Sequence, residues 1–436
     1  PQDGYDIIST IDVYIQDIAH HALLKQLEHY SADHGCVVVM ETKTGHIKAI
    51  SNLGRADDGS YYETQNYAIA ESHEPGSTFK LMDLIAVLDD KKADTSTVYD
   101  SKGGRIQYYG RSVKDSNGKG YGKISLARGF ELSSNTILVQ SVYDSYKNNP
   151  KQFVDRINSY GLNKPLGLPI KGEGVPVIPQ PGTNRWSGVA LPWMAFGYGL
   201  SVTPLQTLTL YNAVANDGVM VKPIFVSEIK EWNKTIKKYN TEVINPKICS
   251  QETLDKVQAV LENVVKKGTG SKLYSKDFSM AGKTGTAQVN YKDKSKLYYA
   301  SSFVGYFPAD EPKYSCIIVV HKPNVAAGYY GADVAGPVFK RIAQKIFTDS
   351  PSMNHVKNID AKVVSQEKSY SEYYKKVEKE ERIVPNVKGM EGMDAVALLE
   401  NLGLKVKVIG VGRVKKQSLT SGQAFNKNQT IIIELS

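Results

Sequence analysis

Residues 74–80 read EPGSTFK, and the run after them, LMDLIAVLDD to residue 90, sets Phe79, Leu84, Ile85 and Leu88 on one helical stripe. A Pro-Gly turn therefore feeds Ser77 into the N-terminus of an amphipathic helix, where Lys80, three residues on, shares its face. A serine hydroxyl is a weak nucleophile that needs an adjacent base. Lysine serves if burial and nearby positive charge disfavour its protonated form, and the free N–H groups of a helix start can stabilise an oxyanion. Taken alone the pattern has an ordinary meaning, an N-cap serine and a solvated first-turn lysine. The same spacing recurs at Ser116/Lys119, Ser227/Lys230 and Ser365/Lys368, but only Ser77 stands between a Pro-Gly turn and an apolar stripe.

Two further patterns acquire meaning from company. Lys-Thr-Gly occurs at 43–45, as a hairpin turn, and at 283–285 inside MAGKTGTAQVN. There, small residues on a strand let backbone and threonine hydroxyls approach a ligand closely. Ser-x-Asn occurs at 133–135 (LSSNT) and at 352–354, and by itself is a polar helix-entry turn. Ser77/Lys80, Ser133/Asn135 and Lys283-Thr284-Gly285 follow in that order on helix, turn and strand, a combination that chance rarely supplies.

The surrounding pattern is α+β. Asp12 caps a helix whose apolar positions are Ile15, Ile18, Ala19, Ala22, Leu23 and Leu27. GCVVVME and HIKAISN form a hairpin about TKTG. The Gly-rich, polar residues 99–123 read as surface loops leading to another helix near LARGFELSSNTILVQSV. FSMAGKTGTAQVN, YYASSFVGYFP and YSCIIVVHKP form an antiparallel meander, and a helix opens at Gly336-Pro337. Residues 349–381 are polar and charge-mixed, a linker. A small α/β unit follows from residue 382, with Ala395, Leu398, Leu399 and Leu402 on a short helix before strands ending in TIIIELS.

The 436-residue chain is globular by composition, with 41% hydrophobic and 23% charged residues, and its length suits more than one domain. The +9 formal charge suits an anionic surface, yet no zinc finger, RNP-like aromatic motif or arginine stripe points to nucleic acid. Cys36 and Cys316 lie in apolar runs as small hydrophobes, and Cys249 adds no chemistry. The eight histidines form no HExxH and read as structural or surface residues. No metal ligands and no phosphate loop stand out, so no cofactor is expected. The longest apolar runs are far short of a membrane span of about 20 residues. A targeting or anchoring segment is expected upstream of Pro1.

With these motifs the chain resembles the class A β-lactamase and penicillin-binding protein superfamily, and within it the class B penicillin-binding proteins, the monofunctional D,D-transpeptidases. NYAIAESHEPGSTFK, FGYGLSVTPLQ, VVKKGTGSKL, SSFVGYFPADEPKY and YYGADVAGPVFKRIA carry the resemblance over nearly all of residues 1–348. The stretch from VPNVKGM to TIIIELS is similar to a single PASTA domain, although QSLTSG lacks the prolines often found there.

The resemblance implies a transpeptidase domain over 1–348, with an antiparallel five-stranded sheet flanked by helices, a linker over 349–381 and a PASTA-like domain over 382–436. It makes Ser77 the acylated nucleophile, Lys80 its base and Ser133 the relay to the departing D-Ala amine. Asn135 would hold the substrate amide, and Lys283 would supply positive potential. Thr284, Gly285 and Thr286 would line the carboxylate site, and the Ser77 and Thr286 backbone N–H groups would form the oxyanion hole. Implied partners are D-Ala-D-Ala stem peptides, β-lactams, and divisome or glycosyltransferase proteins, with no nucleic acid. The implied location is extracytoplasmic, with an N-terminal membrane anchor and a role in septal wall synthesis. Two other readings stay open: a D,D-carboxypeptidase or β-lactamase-like hydrolase with water as acceptor, and a non-catalytic β-lactam or peptidoglycan sensor.

Overall fold

The structure is a computed structural model describing residues 4–231, 234–293, 295–349 and 383–436. The chain divides into two compact units, residues 1–350 and 351–436.

In the first unit, helix α1 (Val13–Tyr30) starts where the Asp12 carboxylate accepts the Tyr14 and Ile15 amides at 3.0 and 3.1 Å. It buries the stripe read from the sequence. Strands β1 (His34–Glu41) and β2 (Ile47–Arg55) form the first hairpin, and the short β3 (Tyr61–Glu63) pairs with β2. A tight turn at Gly76–Thr78 runs into α2 (Lys80–Asp89), which is buried from Lys80 through Leu88. Helices α3 (Leu126–Glu131), α4 (Asn135–Tyr146), α5 (Pro204–Ala215) and α6 (Gln251–Lys267) follow. The meander is β4 (Ala281–Val289), β5 (Tyr298–Phe307) and β6 (Tyr314–His321), and α7 (Gly336–Asp349) closes the unit.

The central sheet has the order β4-β5-β6-β1-β2-β3, antiparallel throughout. Five long strands were expected; the sixth is the three-residue β3 at the edge remote from β4. Alternation along the strands sorts side chains between two cores. Val38, Met40, Ile317, Val319 and Val304 face the core built with α2, α4, α5 and α6. Val37, Val39, Ile318, Val320 and Phe303 face α1 and α7. Both faces are covered, so these strands read as unbroken apolar runs, each buried aliphatic side chain contributing about 1.5–3 kcal/mol. Helix α5 is buried on every side, its start held by a Thr203/Gln206 capping box and Pro204 in the first turn.

Two expectations need correction. The single helix near LARGFELSSNTILVQSV is two, because Ser133 adopts φ 55° and Ser134 caps a fresh start, accepting the Ile137 amide at 3.2 Å. The stretch read as surface loops holds two ladders, Val98–Asp100 with Lys123–Ser125 and Arg105–Tyr108 with Arg111–Lys114. Its glycines supply the left-handed turns between them.

The second unit has its own core around α8 (Gly392–Asn401), which buries Ala395, Leu398 and Leu399. Strands β7 (Lys405–Ile409) and β8 (Val414–Gln417) flank β9 (Thr430–Leu435), β7 parallel to it and β8 antiparallel. Apart from Asp349, the linker expected over 349–381 lies outside the described residues. No helix among the described residues is long and apolar enough to cross a membrane.

Candidate active site

The turn at Gly76–Thr78 holds Ser77 half-buried while Pro75, Gly76, Thr78, Phe79 and Lys80 are buried around it. Gly76, at φ 56°, packs so closely on β4 that a Cβ there would lie 3.1 Å from the Ala287 side chain. A Cβ on Gly285 would meet Ser302 Oγ at 2.2 Å and Thr78 Cγ2 at 2.9 Å. The Lys-Thr-Gly glycine is thus the place where the Ser77 turn rests on the sheet edge. Tyr211 fixes the turn from beneath, its hydroxyl donating to Thr78 O at 2.8 Å.

The helix carries Lys80 inward to Ser133 and Asn135. Its Nζ donates to Ser133 O at 2.7 Å and Asn135 Oδ1 at 2.6 Å, and lies 3.3 Å from Ser133 Oγ. Lys283 reaches the same hydroxyl from β4 at 2.9 Å, and donates to Thr284 O at 2.9 Å. The Ser133 hydroxyl therefore bridges two fully buried lysines. Burial pushes Lys80 down to about 7, with Asp115 and Asp83 opposing that shift. Lys283 falls well below the ordinary lysine range, by burial and by repulsion from Lys80. One helical turn from Lys80, neither carboxyl oxygen of buried Asp83 has a hydrogen-bond partner among the described residues, and burial raises that group strongly against the pull of Lys80.

The left-handed Ser133 is held by its neighbours. Asp115 accepts the Ser134 hydroxyl at 3.0 Å, the Thr136 amide at 3.0 Å and the Thr136 hydroxyl at 2.8 Å. Asn135 Nδ2 donates to Lys114 O at 2.8 Å. Asp115 was missed in the sequence because it sits in the stretch read as loops; its role as anchor of a polar turn arises only when the Arg111–Lys114 strand is brought alongside α4.

Along β4, Thr284 and Thr286 share one side. Thr284 Oγ1 lies 2.7 Å from Thr269 Oγ1, and Thr286 Oγ1 accepts the Gly331 amide at 3.0 Å. The Gln288 amide points off the sheet edge to the Tyr198 hydroxyl at 2.7 Å. Residues two apart on a strand direct their amides alike, so the Thr286 N–H faces the same open edge, toward the Ser77 turn. Lys80, Ser133, Asn135 and Lys283 thus come together, with Ser77 on the turn that leads to Lys80 and packs on Gly285 and Ala287 of the same strand as Thr284 and Thr286. The other Lys-Thr-Gly, at 43–45, lies in the β1–β2 turn, and Ser352–Asn354 lies outside the described residues.

Comparison with known proteins places the chain in a family. Residues 35–344 match the penicillin binding protein transpeptidase domain, and residues 382–436 match the PASTA domain. Stage V sporulation protein D of Bacillus subtilis is 28% identical over 100% of this chain and 66% of its own length. The probable peptidoglycan D,D-transpeptidase PenA of Neisseria gonorrhoeae is 30% identical over 78% of this chain and 56% of its own. The chain thus spans less than two thirds of the length of these relatives. Penicillin binding protein 3 of Mycobacterium tuberculosis, solved in complex with aztreonam, superposes with a TM-score of 0.70 at 27% identity, covering 80% of each chain. The Ser77 turn, the two-lysine bridge and a family match spanning most of the first unit lead to one assignment: the chain belongs to the penicillin-binding protein transpeptidase family, with a PASTA domain at its C-terminal end.

Proposed function

We propose that this chain catalyses D,D-transpeptidation of peptidoglycan stem peptides through a Ser77 acyl-enzyme. The observation that carries the reading is the Ser133 hydroxyl held between Lys80 and Lys283, beside a half-buried serine on a rigid turn. Neutral Lys80 takes the Ser77 proton as Oγ attacks the carbonyl carbon of the penultimate D-Ala. The C–N bond then breaks, and Ser133 passes a proton to the departing D-Ala amine. An amine of a second stem peptide displaces the ester and restores Ser77. The Ser77 and Thr286 amides serve as oxyanion donors, Asn135 holds the substrate amide, and Lys283, Thr284 and Thr286 receive the terminal carboxylate. An arriving carboxylate returns Lys283 to its charged form, since an opposite charge nearby offsets desolvation.

The aztreonam complex of the Mycobacterium tuberculosis protein supports β-lactams as acylating inhibitors. We assign the chain to septal wall synthesis on the outer face of the cytoplasmic membrane, in a membrane-anchored whole protein working with divisome or glycosyltransferase partners. The relative named for sporulation spans this whole chain and makes sporulation the competing assignment. Filamentation of vegetative cells on depletion would support the septal role, and normal division would overturn it.

Intact-protein mass spectrometry after exposure to a penicillin tests the chemistry. The expected result is one long-lived adduct per chain, absent from Ser77→Ala. Fast loss of the adduct would indicate a hydrolase, and no adduct on folded wild-type protein would overturn the serine mechanism. Cross-linking of stem peptides by the wild type, but not by Ser77→Ala, separates an enzyme from a sensor.

A further inference from the structure

We propose that His34, Glu71 and His321 form a zinc-type divalent cation site that ties the segment entering the nucleophile turn to the end of the central sheet. His34 opens β1, and His321, its register partner, ends β6. Glu71 directly follows the short helix Tyr67–Ala70, in the segment that runs on through His73 to Ser77. One donor atom from each of the three residues lies within 4.8 Å of the others. Glu71 Oε2 is 2.9 Å from His34 Nε2 and 3.6 Å from His321 Nε2. Zinc–ligand bonds of about 2.0–2.2 Å place tetrahedral donors roughly 3.3–3.5 Å apart, between those two separations.

Two further features point to a cation. The second ring nitrogen of His34 lies 3.0 Å from the Asp33 carboxylate, the outer partner that orients a metal-bound imidazole. Two imidazoles and one carboxylate are a borderline donor set that suits zinc better than magnesium or calcium. The His73 ring meets His321 edge-on at 5.1 Å. On binding, the cation replaces the proton shared between His34 and Glu71. The histidines were read as structural or surface residues because they form no HExxH pattern; only the β1–β6 pairing brings His34 and His321 to one carboxylate.

The test uses the full chain, stripped with a chelator and titrated with zinc chloride by calorimetry. A parallel sample is loaded with cobalt(II), whose visible absorption reports an ordered nitrogen and oxygen ligand set. One zinc per chain is expected, with a rise in Tm as binding to the folded state alone requires. The cobalt bands should vanish in Glu71→Gln and His321→Asn, and His34→Gln should weaken zinc binding at least tenfold. Circular dichroism checks that each variant is folded. Should His321→Asn not fold, Glu71→Gln and the half-buried His34→Gln decide the matter. Zinc well below one per chain, or binding unchanged in the folded variants, overturns the proposal; unchanged binding would move the metal to surface residues such as His20 and His21.

Discussion

Lys80 and Lys283 share one serine hydroxyl in a space that excludes water, and two ammonium charges there repel each other with little screening. Their protons therefore come off as those of a pair. A base must be neutral to accept the Ser77 proton, and Lys80 is held at about 7. The rate of penicillin acylation should fall about tenfold per pH unit below 7 and level off above it. The sign follows from the direction of the shift: burial lowers Lys80, so the active form persists to lower pH than an ordinary lysine allows. A stopped-flow profile that is flat from pH 5 to 8 would remove Lys80 from the role of base. At this scale Ser77 and Lys80 were legible, because three-residue helical spacing is local. Asp115 was not, since its effect runs through a turn distant in sequence.

Elements explain why the motifs need their small residues. Gly285 leaves room for the nucleophile turn, and adding one methyl places an atom 2.9 Å from Thr78 Cγ2. Gly285→Ala should cost about 1–3 kcal/mol of stability by overpacking. By displacing the turn roughly 1 Å it should also cut acylation on the order of 100-fold. Thermal unfolding and adduct kinetics measure the two, and wild-type acylation in Gly285→Ala would show that the contact is not needed. The strands and α1 were readable from period-two and helical patterns. The break between α3 and α4 was legible only as the Ser133–Asn135 helix-entry turn and not in the one helix read across it, because apolar spacing continues through it while the left-handed φ of Ser133 depends on Asp115 holding the next two residues. The Ser134–Asn135 pair was the available signal, since such residues favour helix starts.

At the scale of the molecule, two compact units each have a hydrophobic core of their own. A chain ending at Asp349 should therefore fold and be acylated by penicillin at the full-length rate. Loss of the adduct on truncation would assign the second unit a part in forming the site. The two-unit organisation was visible from the polar stretch near 349–381 and the return of apolar periodicity after it. The meeting of His34, Glu71 and His321 depends on strand pairings that no local pattern encodes.

The edge position of β4 has a consequence beyond the reaction. An unpaired sheet edge is an invitation for another molecule's strand to add to it, a common beginning of aggregation. Here Lys283 takes the Thr284 carbonyl, the Tyr198 hydroxyl takes the Gln288 amide, and Gly76 rests against Ala287. Among the described residues these contacts cover the edge on either side of Thr286, which shortens the ladder open to a foreign strand. The atoms that build the site also keep neighbouring molecules from joining at it.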